Sequence, residues 1–298
     1  MAIKNNEVLN IITKAFHGDK AMLIDYCTEL MNAEKEGSTL KKQLMQILNR
    51  QPKELAQLKL DEKYAFQVLD NKNIDEVFLS EENKEIINLF FKEQQNKEKF
   101  VEHGIPVSNK IFLTGAPGNG KTTLAGAIAK EMNLPLFNFN ISTLFSSYMG
   151  QTSERINSVF SKLSNINCVL FMDEMDAMFS KRDSDSERGG NNLENIKIVS
   201  SLLLEIDKMP TNIILISATN NESLVDHAVK RRFNYFLSIN EPTKEGKEKY
   251  LNMVAKKYEK LPVLDIIKGK KEDILKERNI ALIDNFVMKE IKKYIMEH

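Results

Sequence analysis

Residues 111–122 read IFLTGAPGNGKT, an apolar run followed by a glycine-rich turn and a Lys-Thr pair. The apolar run predicts a strand, and Leu124–Ala129 after the turn predicts a helix. In this strand–loop–helix context, the pattern G-x-x-x-x-G-K-T is typical of a loop whose backbone N–H groups surround phosphate oxygens. Glycines permit the tight curl, and the helix N-terminus adds partial positive charge.

This loop supplies a set of candidate nucleotide contacts. The Lys121 ammonium is placed to reach the β- and γ-phosphates, and the Thr122 hydroxyl is placed to ligate Mg²⁺. An ordinary glycine-rich turn is the alternative, which the flanking strand and helix disfavour. The predicted nucleotide-binding residues are Gly115, Ala116, Pro117, Gly118, Asn119, Gly120, Lys121, Thr122 and Thr123.

A second motif places two carboxylates after a buried strand. Residues 168–172 read CVLFM, as expected for a strand covered on both faces of a parallel sheet, and Asp173 and Glu174 follow directly. Open α/β sheets bind ligands at the carboxyl ends of such strands. Asp173 fits a carboxylate that holds Mg²⁺, and Glu174 fits the group that polarises an attacking water. A helix cap or a solvated loop is the alternative, and the phosphate loop upstream disfavours it.

Three further segments carry a family resemblance. Residues 169–178, VLFMDEMDAM, resemble the Walker B segment of the AAA+ ATPases, in their AAA branch. Residues 213–220, IILISATN, resemble the sensor-1 strand, whose closing Asn220 helps to orient the lytic water. Residues 226–233, DHAVKRRF, resemble the second region of homology, in which Arg231 and Arg232 would reach the γ-phosphate of a neighbouring subunit.

The resemblance implies an ATPase that uses ATP and Mg²⁺ and assembles into a homo-oligomer, expected to be a hexamer. It implies Thr122 and Asp173 as metal ligands. For the adenine slot, Ile74, Val77 and Leu79 are the candidates ahead of the first strand of the sheet. The implied catalytic residues are Glu174, Asn220, Arg231 and Arg232.

The alternation of strand and helix patterns predicts an α/β fold. The resemblance implies in addition that this fold is a P-loop three-layer αβα domain, with a parallel five-stranded sheet in the order 5-1-4-3-2. We expect an N-terminal helical region at residues 1–79, the ATPase domain at 80–240 and a small helical lid at 241–298. The predicted strands are Ile111–Thr114, Leu136–Asn140, Cys168–Met172, Ile213–Ser217 and Tyr235–Ile239.

The composition excludes several classes of protein. Lys and Arg together number 42, as do Asp and Glu, so no global basic field indicates a nucleic-acid partner. Cys27 and Cys168 are the only cysteines and lack C-x-x-C spacing, so we expect neither a disulfide framework nor a zinc site, and a reducing compartment fits. No long apolar stretch or signal pattern is present. We therefore expect a soluble, cytoplasmic protein with no membrane segment.

One segment outside the nucleotide motifs points to a mechanical role. Residues 146–151 read SSYMGQ, and Tyr148, Met149 and Gly150 resemble the pore loop of AAA proteins that thread substrates. An aromatic side chain on a Gly-hinged loop can grip an extended chain without reading its sequence, because apolar contact is non-directional. The alternative is that Tyr148 and Met149 cover a helix end in the core.

Three functions remain open at this point. The first is a ring that couples ATP hydrolysis to unfolding, threading or disassembly of a protein client. The second is an ATP-dependent switch for a dedicated partner, because the single-module layout resembles bacterial stand-alone AAA ATPases often encoded beside a subtilisin-like serine protease. The third is a nucleic-acid-associated loader, which would require a basic, aromatic-bearing face.

Overall fold

The computed structural model describes residues 65–68, 72–141, 152–176, 191–221, 223 and 227–297. Contacts divide the chain into residues 1–59 and 60–298, and every described residue belongs to the second unit. The helices that the sequence predicts within residues 1–64 lie outside the described residues. Elements are numbered below in chain order over the described residues.

The centre of the fold is a sheet with the strand order β1-β3-β4-β5-β2-β6. Strands β2 to β6 are parallel, whereas β1 pairs with β3 antiparallel. Leaving out β1, the order is the predicted 5-1-4-3-2, and the predicted strands are confirmed to within two residues. The strands are β1 (Ala65–Val68), β2 (Lys110–Thr114), β3 (Leu136–Phe139), β4 (Cys168–Met172), β5 (Ile213–Thr219) and β6 (Tyr235–Ser238).

Strand β1 differs from the sequence prediction, which assigned residues 1–79 to a helical region. Ala65 lies opposite Phe139 and Val68 opposite Leu136, so this segment forms the edge of the ATPase sheet. Its four residues have no strong local signal for a strand. They form one because β3 offers an unpaired edge, and strand formation depends more on such partners than on intrinsic preference.

Helices flank the sheet and continue beyond it. The helices before β6 are α1 (Glu81–Gln95), α2 (Lys97–Glu102), α3 (Lys121–Glu131), α4 (Thr152–Leu163), α5 (Asn191–Lys208) and α6 (His227–Lys230). The helices after β6 are α7 (Lys244–Lys257), α8 (Val263–Ile267), α9 (Lys271–Lys276) and α10 (Ile280–Glu297). Among the described helices, none combines the length and apolar character that a bilayer crossing requires.

Side-chain alternation along the strands gives the domain its two cores. Ile111 and Leu113 pack in one cluster with Leu124 and Ile128 of α3. Phe112, between them, points to the other face, where its ring centroid lies 4.9 Å from that of Phe233. Because consecutive strand residues point to opposite faces, a strand covered on both sides is apolar throughout.

The C-terminal helices build a smaller core of their own. Tyr250 of α7, Ile267 of α8, Ile274 of α9 and Ile283 of α10 are buried in one cluster. Thr243 caps the N-terminus of α7 by accepting a 3.1 Å hydrogen bond from the Gly246 N–H. This arrangement agrees with the predicted helical lid.

Candidate active site

The phosphate loop lies between the carboxyl end of β2 and the first turn of α3. Gly115 has φ of 140°, and a Cβ atom there would lie 2.1 Å from the backbone oxygen of Ile239, just after β6. Gly120, which precedes α3, has φ of 97°. The loop therefore needs glycine at 115 for two reasons: its backbone conformation and the close approach of a neighbouring strand end.

Lys121 is the most enclosed charge at this edge of the sheet. Its Nζ atom donates to the backbone oxygens of Gly115 at 2.6 Å and Ala116 at 3.1 Å, and to Oδ1 of Asn220 at 2.7 Å. Burial lowers the pKa of Lys121, and the nearby carboxylate of Asp173 acts in the opposite direction. The lysine thus ties the phosphate loop to the end of β5.

The two predicted carboxylates follow β4, beside the loop. Oδ2 of Asp173 accepts a hydrogen bond from the Thr122 hydroxyl at 3.4 Å, and Oδ1 accepts one from the Glu174 N–H at 2.8 Å. Glu174 is exposed and has a φ of 56°, in the left-handed region that side-chain-bearing residues rarely occupy. Such backbone conformations concentrate at functional sites.

Asp176 is a site residue whose role the sequence did not reveal. Its Oδ1 accepts from the Thr219 hydroxyl at 2.9 Å and from the Asn220 N–H at 3.4 Å. The N–H of Met175 donates to the Ala218 backbone oxygen at 3.0 Å. These bonds join the segment after β4 to the end of β5 and hold Asn220 beside Lys121. In the sequence, the available signal for Asp176 was its position two residues after Glu174.

The predicted metal ligands fit Mg²⁺. Thr122 and Asp173 offer oxygen donors, which Mg²⁺ prefers, and this ion typically takes only one or two carboxylates together with phosphate oxygens and water. In the described part of the chain, no group of three or more His, Cys, Asp or Glu side chains is arranged to hold a metal. The donor set therefore suits a cation that arrives with a phosphate ligand better than a closed protein cage.

The two arginines lie beside the amino ends of the strands, opposite the carboxyl ends that carry the phosphate loop. They follow α6 and precede β6, and the N–H of Asn234 donates to the Lys110 oxygen at the start of β2. Five residues of extended chain, roughly 16 Å, separate Lys110 from Gly115. Arg231 and Arg232 are thus remote along the sheet from the phosphate loop of their own chain.

A cavity of about 780 Å³ adjoins the phosphate loop. Its walls include the three residues that the sequence nominated for the adenine slot, together with Asn119 of the loop and Ile280 of α10. Charged side chains also line it, among them those of Asp75, Glu81, Lys84, Glu131, Glu241, Glu245 and Lys249. Its apolar lining includes Ile74, Val77, Leu79, Ile239 and Ile280.

The lid contacts the phosphate loop directly. The N–H of Ala281, at the start of α10, donates to the backbone oxygen of Gly118 at 3.0 Å. Asn279 caps that helix through a 2.9 Å bond from the Leu282 N–H to its Oδ1. A Cβ atom on Gly118 would lie 2.9 Å from Cγ of Asn279. No sequence motif had indicated this contact.

The predicted pore loop at Tyr148, Met149 and Gly150 lies outside the described residues. The other predicted site residues fall into two groups. Those of the phosphate loop, the acidic pair and Asn220 come together at one sheet edge, whereas Arg231 and Arg232 do not join them.

Comparisons with known proteins agree with this arrangement. Residues 111–241 match the family described as ATPase family associated with various cellular activities (AAA). An uncharacterized AAA family ATPase of Sinorhizobium fredii is 33% identical over 225 residues, which are 76% of this chain and 66% of that protein. The ATP-dependent zinc metalloprotease FtsH of Caldicellulosiruptor bescii is 34% identical over 181 residues, 59% of this chain and 28% of that protein.

The FtsH of Acidobacterium capsulatum is 35% identical over 193 residues, 63% of this chain and 29% of that protein. This chain therefore spans about two thirds of the rhizobial relative but less than a third of either metalloprotease. Residues 111–241, which match the family, include the phosphate loop, the acidic pair and strands β3 to β6. The chain carries an ATPase domain of the AAA family.

Proposed function

We propose that this protein hydrolyses ATP in a Mg²⁺-dependent reaction and couples hydrolysis to protein remodelling within an oligomeric ring. The observation that supports the chemistry is the meeting of Lys121, Thr122, Asp173, Glu174 and Asn220 at one sheet edge. In this proposal, residues 80–240 form the ATPase domain with β1 added to its sheet. Residues 241–298 form the lid, and the location is cytoplasmic.

The proposed chemistry assigns one task to each group. Lys121 and the loop N–H groups neutralise the triphosphate, and Thr122 and Asp173 hold Mg²⁺, which when bound offsets charge on the β- and γ-phosphates. Glu174 accepts the proton of the attacking water as general base, and Asn220 orients that water. The hydrogen bond that the Asn220 N–H donates to Oδ1 of Asp176 keeps Asn220 in reach.

The proposal places the arginines in the neighbouring subunit's site. Arg231 is exposed. It precedes β6, whereas the phosphate loop of its own chain follows the parallel strand β2, so the length of the strands separates the two. An arginine supplied in trans is worth roughly 10³–10⁵ in rate in related GTPase systems. Activity would then depend on assembly, for which we expect a hexamer, and hydrolysis would move the lid about Glu241 and Pro242.

The energy of ATP hydrolysis has two candidate uses, remodelling of a protein client and switching of a dedicated partner. The metalloprotease relatives and the predicted pore loop at Tyr148–Gly150 favour remodelling of a protein client. The switch alternative, with a serine protease as one candidate partner, rests on the single-module layout that the sequence predicts. The balanced charge leaves a nucleic-acid loader without support.

The chemical assignment is tested with Glu174→Gln and Lys121→Ala, with Glu98→Gln on the exposed face of α2 as a matched control. Glu174→Gln should bind ATP like the parent while turnover falls by about 10²-fold or more. Lys121→Ala should lose nucleotide binding. Phosphate release and binding of a fluorescent ATP analogue measure both, and undiminished turnover in Glu174→Gln would refute the assignment.

The remodelling assignment has its own experiment. Tagged Glu174→Gln chain is isolated from its native cells in ATP, and the proteins that remain attached are identified. A client held in ATP and released in ADP, and absent with Lys121→Ala, is the expected result. Retention of one partner in stoichiometric amount in every nucleotide state favours the switch instead.

A further inference from the structure

Residues 74–79 contribute to both cores of the structure. Ile74–Glu76 form a short 3-10 turn, and the backbone continues in an extended conformation at Val77, with φ of −95° and ψ of 124°. Val77 and Leu79 are buried in the core between the sheet and α3. Phe78, between them, packs against the core of the lid. Because successive side chains of an extended chain point to opposite sides, one short segment can hold on to two cores.

The lid leaves room for the Phe78 ring. Its centroid lies 6.5 Å from that of Tyr250 on α7, with the two ring planes at 84°. A Cβ atom on Gly246, one turn earlier in α7, would lie 2.9 Å from Cζ of Phe78. The Tyr250 hydroxyl donates in turn to Oδ1 of Asp284 on α10 at 2.7 Å. Phe78 therefore touches the lid at the place where α7 is joined to α10.

Two ion pairs extend this contact along α7. Nζ of Lys257 donates to Oε2 of Glu76, and this bond lowers the pKa of Glu76 and raises that of Lys257. Nζ of Lys249 lies 3.6 Å from Oε1 of Glu81. The side chains of Glu76 and Lys257 are 25% and 42% exposed, and exposed pairs contribute little to stability. The larger share of the attachment therefore falls to Phe78 and its apolar contacts.

The lid is thus fixed to the ATPase domain at two places. One is the covalent connection from β6 to α7, which contains Glu241 and Pro242. The other is the segment before and at the start of α1. A body attached at one point can turn about that point, whereas a second attachment away from it opposes the turn. Rotation of the lid about Glu241 and Pro242 must therefore separate α7 from this segment.

We propose that residues 74–81 form a latch that holds the lid against the ATPase domain, and that the lid turns only after Phe78 and Glu76 separate from α7. This inference rests on the proposed function, which couples hydrolysis to movement of the lid. The latch gives way at α7 because Phe78 is only partly buried, whereas its two neighbours in the segment are buried in the other core. The strength of the latch then sets the fraction of chains whose lid has turned.

Spin labels on exposed positions of the two parts measure this fraction. In a Cys27→Ser background, Glu98→Cys on α2 and Lys292→Cys on α10 are labelled, and the labelled chain is mixed with excess unlabelled parent so that distances within one chain dominate. The parent should show one main distance without nucleotide and a second distance during ATP turnover. Lys257→Met and Gly246→Ala should each raise the nucleotide-free fraction of the second distance by about five- to tenfold.

Lys256→Met and Gly269→Ala are the matched controls. Lys256 is exposed and next to Lys257 on α7, and a Cβ atom on Gly269 meets nothing within 4 Å. Both controls should keep the parent's distances. The two latch variants disturb different contacts, so one remains informative if the other fails to fold. Latch variants with the parent's distribution overturn the proposal, as does a parent that hydrolyses ATP with a single distance in every nucleotide state.

A reversible lock tests the part that the latch plays in turnover. In the Cys27→Ser background, Glu76→Cys and Lys257→Cys are joined by a short bis-maleimide that contains a cleavable disulfide. The lock should lower ATP turnover by about tenfold or more while ATP still binds, and cleavage should restore the value of the untreated double variant. Chains with only one of the two cysteines, treated alike, should keep their turnover.

The outcomes of the lock separate the latch from the proposed function. A locked chain that hydrolyses ATP as fast as the unlocked one overturns the latch and leaves the ATPase assignment standing. A parent chain without any ATP turnover overturns the proposed function, and the latch with it.

Discussion

Nη2 of Arg232 donates to Oδ2 of Asp207 at the end of α5 over 2.8 Å. The Arg232 side chain is 14% exposed, and it also donates to the backbone oxygen of Ala228. Its neighbour Arg231 is exposed. Two arginines that look equivalent in the sequence therefore have different surroundings, because among the described residues the side-chain bonds of Arg232 have no counterpart at Arg231.

This difference predicts separate effects on stability. Arg232→Ala should lower the free energy of unfolding by about 1–2 kcal/mol, since it removes two hydrogen bonds of a mostly buried side chain. Arg231→Ala should change it by no more than about 0.5 kcal/mol, as expected for an exposed position. Denaturant melts of both variants measure this, and Asp207→Ala should follow Arg232→Ala. Equal losses in the two arginine variants would contradict the assignment.

The same residues predict activity that depends on assembly. Arg231→Ala should reduce ATP turnover without preventing nucleotide binding, because the proposed function pairs Arg231 with the phosphate of another subunit. Mixing Arg231→Ala/Arg232→Ala chains with Lys121→Ala chains should restore some turnover, since some interfaces then pair an intact loop with intact arginines. Turnover per chain that does not change with protein concentration or with mixing would exclude action in trans.

The loop glycines predict a graded series of stability losses. Gly120→Ala meets open space and should cost about 1–2 kcal/mol from backbone conformation alone. Gly115→Ala should cost on the order of 3–5 kcal/mol, because backbone strain adds to a collision with the Ile239 oxygen. Thermal melts measure the order, and a Gly115→Ala chain as stable as Gly120→Ala would disprove the close approach.

Gly118→Ala tests the contact between loop and lid. Its Cβ would meet the side chain of Asn279, so Asn279→Ala should relieve part of the damage. Asn279→Ala alone should cost about 1 kcal/mol through the lost cap of α10. The double variant should therefore be more stable than the sum of the single losses predicts, and strict additivity would argue against the contact.

The substitution Tyr148→Ala distinguishes the two leading functions. If it grips a threaded chain, Tyr148→Ala should leave basal ATP turnover within a few-fold of the parent and remove stimulation by an unfolded polypeptide. Intact regulation of a partner by this variant would favour the switch. If Tyr148 is a core residue instead, the free energy of unfolding should fall by roughly 3–5 kcal/mol. A melt read beside the turnover assay distinguishes the three outcomes.

We expect the thiol of Cys168 to be inert in the folded protein. It is buried in β4, and burial raises its pKa from 9.0 to about 12. With Cys27→Ser leaving one cysteine, iodoacetamide at pH 8 should label the chain only after unfolding. The pKa of the Cys168 thiol is higher in the folded than in the unfolded chain. Its contribution to the free energy of unfolding is therefore complete below about pH 9 and is lost as the pH rises towards about 12. Cys168→Ala should reduce that alkaline loss, and rapid native labelling would contradict the burial.

Much of the sheet could be predicted because its strands are encoded locally. Strand β4 is a continuous apolar run and β5 begins with four apolar residues, a pattern that burial on both faces imposes on a parallel strand. The segment Ala65–Val68 could not be predicted in this way. Its pairing with β3 depends on an edge that exists only after the other strands have assembled.

The candidate site divides in the same manner. The sequence by itself determined the phosphate loop, the acidic pair after β4 and Asn220, because glycine spacing and strand ends are local features with a fixed chemical meaning. Only the tertiary structure decided that Asp176 joins two strand ends and that Ala281 bonds to Gly118. Each of these depends on atoms far apart in the chain, and their distances are set by how the helices and strands pack.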